Sequence, residues 1–117
     1  MTIQPTYVTP EQAEQFKDKG WKEWCKYRYT DFEGYIELTE DASDIFPYAP
    51  EHWQVCEWLR VRHGIWIIIN PDLENNRCFF QIVSIKYKGD ADSDFFNSPQ
   101  EAYSAAFDYI LANLLKK

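Results

Sequence analysis

The carboxylates near the C-terminal end are the residues best spaced for chemistry. With Asp90 as position 1, Asp92 is position 3, Asp94 position 5 and Glu101 position 12. Those are the carboxylate positions of an EF-hand calcium loop, in which hard oxygen ligands wrap one ion. Three features oppose that chemistry. Phe95 stands at position 6, where the sharp turn of such a loop needs glycine. The preceding segment, Cys78–Lys88, reads as a strand where the motif needs a helix. Glu101 already serves in Ser98-Pro99-Gln100-Glu101, a capping box that starts a helix. The expectation is an acidic surface loop that binds calcium weakly or not at all.

His52 and Cys56 lie four apart on one predicted helix, with His63 seven further on. A nucleophile–base pair or a metal site uses such proximity. Here no further ligand is spaced to help, Cys56 falls on the apolar stripe, and a histidine at a helix end is an ordinary cap. The glycines, at 20, 34, 64 and 89, are isolated, so no phosphate-cradling loop is present, and no serine nucleophile elbow appears. Glu33, Glu37, Glu40 and Asp41 contain carboxylate pairs whose separation nothing in the sequence sets. The reading is of a non-enzyme, with no catalytic residue, no metal ligand and no cofactor assigned.

The remaining candidate is aromatic: Trp21, Trp24, Tyr27, Tyr29, Phe32 and Tyr35. Trp and Tyr carry contact energy at interfaces as well as in small cores. Which role each takes depends on the elements that position it. Lys26-Tyr27-Arg28-Tyr29-Thr30 alternates, Asp31–Gly34 is turn-like, and Tyr35-Ile36-Glu37-Leu38 alternates again, so 21–38 reads as a hairpin. Glu37 is costly to bury unpaired, so Ile36 and Leu38 are expected to face the core. Tyr27 and Tyr29 are assigned to the core face of their strand. Trp24, Lys26, Arg28, Tyr35 and Glu37 are left as the expected exposed binding patch.

The other elements follow from end signals and period. Thr9-Pro10-Glu11-Gln12 caps a helix over about 10–19 that Gly20 stops. Residues 39–49 read as a surface loop. Pro50 opens a helix to His63, closed by Gly64, with Val55, Cys56 and Leu59 inward and Trp53 and Trp58 beside them. Ile65–Ile69 is a β-branched run, read as a central strand covered on both faces, and it forms a second hairpin with Cys78–Lys88. Tyr103, Ala106, Phe107, Ile110, Leu111 and Leu114 share one face of a last helix over about 98–115. The expected fold class is α+β: an antiparallel sheet of three or four strands in two hairpins, with three helices in the order α-ββ-α-ββ-α.

Composition bounds the rest. A chain of 117 residues with 45% apolar and 26% charged residues suits one folded domain and excludes a wholly disordered one. Twelve basic against nineteen acidic residues give a net charge of −7, which speaks against binding a phosphate backbone. The longest apolar run, Ile65–Ile69, is far shorter than the ~20 residues of a membrane helix. Met1–Pro5 has neither the basic nor the apolar region of a secretory leader. Cys25, Cys56 and Cys78 are odd in number and lack C-x-x-C spacing, which suits reduced thiols in a cytoplasm.

Three stretches carry a resemblance. They are Thr9-Pro-Glu-Gln-Ala13 with Phe16 and Gly20, then Ala49-Pro50 with Trp58-Leu59-Arg60 and His63-Gly64-Ile65, and Ser98 with Glu101-Ala102, Ala105, Ile110 and Leu114. They resemble a group of small proteins encoded by phages, prophages and mobile regions of gut Bacteroides-type bacteria. That group has no established activity, so the resemblance implies a cytoplasmic, phage-derived accessory protein and carries over no site residue. The leading expectation is a non-enzymatic protein that acts through contact with another protein. Two alternatives stand beside it: a small metal- or ligand-binding domain using the acidic 90–101 segment, and an acidic mimic of nucleic acid. The partner and the oligomeric state are not set by the sequence.

Overall fold

The computed structural model describes residues 6–30, 35–39, 47–84, 89–92 and 94–115. Their elements run α1 (Pro10–Asp18), β1 (Tyr27–Tyr29), β2 (Ile36–Leu38), α2 (His52–His63), β3 (Ile65–Asp72), β4 (Arg77–Ser84), β5 (Gly89–Asp92) and α3 (Pro99–Asn113). The class is α+β, with three helices and two hairpins in the expected order.

The helices begin where side chains can satisfy their free amide groups. At α1 the Gln12 amide donates to Thr9 Oγ1 (3.1 Å), and the Thr9 amide donates to Gln12 Oε1 (3.0 Å), a reciprocal box. At α3 the expected box is half made. The Glu101 amide donates to Ser98 Oγ (3.2 Å), but the Glu101 carboxylate accepts from the Asn97 amide, one residue earlier. Gly64 ends α2 in the left-handed region at φ 66°, which a side chain would strain.

The two hairpins lie in separate sheets. β1 and β2 pair antiparallel with Tyr27 opposite Leu38 and Tyr29 opposite Ile36. The Pro47–Ala49 segment runs along the other side of β1: the Tyr29 amide donates to the Pro47 carbonyl, and the Ala49 amide to the Tyr27 carbonyl. The second sheet has the order β3-β4-β5. Gly89–Asp92, expected as loop, is a strand whose Asp90 stands opposite Val83 and whose Asp92 stands opposite Gln81. Asp and Gly are poor strand formers by type, but a backbone ladder alongside a paired strand accepts either.

β4, not β3, is central to this sheet. On β4 every second residue is buried, with Cys78, Phe80, Ile82 and Ser84 inward. On β3, Ile65, Ile67 and Ile69 point the same way, while Trp66 (55% exposed) and Ile68 face solvent. The expectation that the Ile65–Ile69 run is covered on both faces is therefore corrected. Branched residues suit a pleated surface whether or not its second face is covered.

The helices close the inner face. α3 buries Ala106, Phe107, Ile110 and Leu111 of the expected stripe together with Ala102, while Tyr103 and Leu114 are half-buried against the core. Its Phe107 ring meets Phe16 of α1 edge-on at 5.8 Å and His52 of α2 at 5.3 Å. Gln12, wholly buried, donates to the Ser104 carbonyl (2.8 Å), Ser104 Oγ (3.1 Å) and Asp108 Oδ1 (2.9 Å). One amide thus ties α1 to α3 across the chain.

Candidate binding surface

Gly20 carries the chain out of α1 with φ 105°, and the Trp21 amide donates back to the Phe16 carbonyl. The Trp21 ring then lies 5.2 Å from Trp58 of α2, and its Nε1 donates to the Glu23 carbonyl (2.9 Å). Cys25 is buried two steps beyond Glu23, while Trp24 is left 63% exposed. On α2, Trp53, Glu57 and Val61 follow one another at intervals of four and share the outer face. Trp53 is 63% exposed and Val61 62%.

These two segments enclose a groove of about 360 Å³. Trp24, Trp53 and Val61 form its apolar walls, and Trp21 and Trp58 lie below them. Glu23, Gln54, Glu57 and Arg62 complete the lining. Arg62 reaches Glu23 at 3.2 Å, and Glu57 pairs with Arg60 on its own helix. A second groove of about 370 Å³ shares Trp58, Glu23 and Arg62 with the first and adds Lys19, Lys22 and His63. The surface is thus aromatic at one end and basic at the other.

Of the expected patch, Trp24, Lys26, Tyr35 and Glu37 are exposed. Arg28 is not: it is half-buried, with its guanidinium 4.0 Å from the Tyr48 ring. The segment 47–49 that covers β1 supplies that ring, and a loop that packs on a strand leaves no local sequence signal. Leu38, expected in the core, is 42% exposed, whereas Ile36 packs against the core and Tyr29 is buried. The hairpin is too short and too near the edge for both apolar residues of β2 to be covered. Only Trp24 of the expected patch lines the aromatic groove. Trp53, expected beside the inward stripe of α2, is exposed instead and walls this groove with Val61, because a helix period shows which residues share a face but not whether that face is covered.

No protein-family model, curated protein or solved structure matches this chain.

Among the described residues, no group of three or more His, Cys, Asp or Glu side chains is placed to hold a metal ion. His52 and Cys56 do not form a reactive pair in this setting. Burial lowers the His52 pKa below the usual imidazole value, against a smaller opposing effect of its hydrogen bond to the Tyr7 backbone. Burial pushes the Cys56 thiol up to about 12 and the Cys25 thiol up to about 11. Both thiols are therefore protonated and poorly nucleophilic at neutral pH. All three cysteines are free.

His52 has a consequence for stability. Its Nδ1 is buried and has no hydrogen-bond partner among the described residues, so charging the ring in the fold is unfavourable. The unfolded chain binds the proton first, at about pH 6.5. The contribution of neutral His52 is present above that pH and is lost as pH falls toward the lower folded-state pKa. Between about pH 7.5 and about pH 5, the melting temperature of the wild type should fall further than that of His52→Phe. Equal losses in thermal scans would remove His52 as the cause.

Proposed function

We propose that this protein is a non-enzymatic binding module, a phage-derived accessory protein that acts by contact with another protein. The observation that carries the reading is the aromatic groove, where Trp24 and Trp53 are each 63% exposed side by side with Val61. A tryptophan left in water forgoes the ~2–3 kcal/mol or more that burying a large apolar side chain returns. Tryptophans over a shaped groove with a polar rim have the make-up of interface anchors. By contrast, burial keeps the Cys25 and Cys56 thiols protonated, which disfavours a thiolate nucleophile. No helix among the described residues is long and apolar enough to cross a membrane, and the acidic net charge favours a protein partner over a nucleic acid.

Trp24→Ala tests this directly. Trp24 makes little buried contact, so its loss should move the melting temperature by no more than a few degrees. Capture of the partner from host lysate by the tagged chain should fall about tenfold or more, as for an interface anchor. A large stability loss would place Trp24 in the core, and unchanged capture would remove it from the interface.

A further inference from the structure

We infer that the partner segment seated on this surface is an acidic peptide. Its bulky apolar side chain lies against Trp24, Trp53 and Val61, and its carboxylates lie against Lys19, Lys22 and Arg62. This rests on the binding-module reading and names the chemistry of its partner.

The inference comes from the two grooves read together. They share Trp58, Glu23 and Arg62, so a single extended segment can cross from one to the other. In the aromatic groove, charges are largely matched: Glu57 is paired with Arg60 and Glu23 with Arg62. In the second groove Lys19 and Lys22 stand beside the Arg62–Glu23 pair, with Glu23 as the sole carboxylate of the lining. That local excess of positive charge lies on a chain whose net charge is −7. At physiological ionic strength charges beyond about 8 Å are screened, so the local sign governs what docks there.

The Arg62–Glu23 pair separates the two ends. Both side chains are more than half exposed, 64% for Arg62 and 52% for Glu23. An ion pair this exposed adds little to the fold. A partner carboxylate can therefore take over the Arg62 guanidinium at small cost, with the bidentate geometry that arginine offers. A basic peptide would meet lysines instead. An uncharged apolar one would use only the tryptophan end.

A random peptide library displayed against the full chain tests the proposal. Wild type is compared with a Trp24→Ala/Trp53→Ala double variant as background, and the enriched consensus peptide is then titrated by fluorescence anisotropy. Enriched peptides should pair a bulky apolar residue with two or more acidic residues. Trp24→Ala or Trp53→Ala should weaken the consensus peptide about tenfold. Lys19→Glu/Lys22→Glu should weaken it about fivefold, with the loss shrinking at high salt. Trp24, Trp53 and Lys22 are exposed and Lys19 is half-buried, and unchanged melting confirms folded variants. Enrichment of basic or uncharged peptides would overturn the acidic partner while leaving the binding module standing. No enrichment above background would remove the binding module itself. Saturable binding of a short poly-dT oligonucleotide, lost in the same variants, would overturn a peptide in favour of a nucleic acid.

Discussion

Phe107→Ala is expected to lower the unfolding free energy by about 3–5 kcal/mol. Phe107 is fully buried on α3, where its ring meets Phe16 at 5.8 Å, His52 at 5.3 Å and Tyr103 at 6.3 Å. It is thus the point at which all three helices touch one side chain. Truncation removes the transfer free energy of the ring and leaves a void that three separate helices would have to move to fill. Against a total stability of ~5–15 kcal/mol typical of a domain, the loss is large. Urea unfolding followed by tryptophan fluorescence reads it as a lower midpoint at unchanged slope. Phe107→Leu keeps part of the volume and should lose clearly less. A loss below about 1 kcal/mol for Phe107→Ala would show that the helices do not meet as described.

Gln12→Ala is the second large effect, at about 2–4 kcal/mol. The two protons of its side-chain amide are shared among three acceptors on α3, the Ser104 carbonyl, Ser104 Oγ and Asp108 Oδ1, and its oxygen completes the α1 cap. Truncation deletes the tie between α1 and α3, breaks half of the capping box and leaves a void where the side chain was wholly buried. Ser104 is half-buried and Asp108 exposed, so part of the lost bonding is regained from water, which keeps the effect below that of Phe107. Gln12→Glu is expected to be at least as damaging at neutral pH. It preserves size but puts a carboxylate where a donor stood 2.9 Å from Asp108. If Gln12→Glu matches wild type in chemical unfolding at neutral pH, the described hydrogen bonds do not hold in solution.

Gln12 shows where legibility of the sequence stopped. Its place in the capping box follows from Thr9-Pro10-Glu11-Gln12, because that contact spans three residues. Its bonds to Ser104 and Asp108 span more than ninety, and nothing local announces them. The same division runs through the candidate site. Trp24 was expected to be exposed and is, although it lies before β1 and not on it. Arg28, of the same parity, is half-covered by Tyr48, and Trp53 and Val61 became wall residues only when α2 turned that face away from the core.

By itself, the sequence determined the three helices and the two hairpins and their order. Thr9 and Ser98 start helices, Gly64 stops one, and the period of α3 marks its buried face, because capping and periodicity act between residues a few positions apart. Only the tertiary structure decided that the hairpins form separate sheets, that Gly89–Asp92 adds a strand, and that β3 shows Trp66 and Ile68 to solvent. It alone set an aromatic groove beside a basic one. Period assigns residues to a shared face, but whether that face is covered depends on a distant segment arriving there. That arrival is settled by the balance of burial and chain entropy over the whole fold.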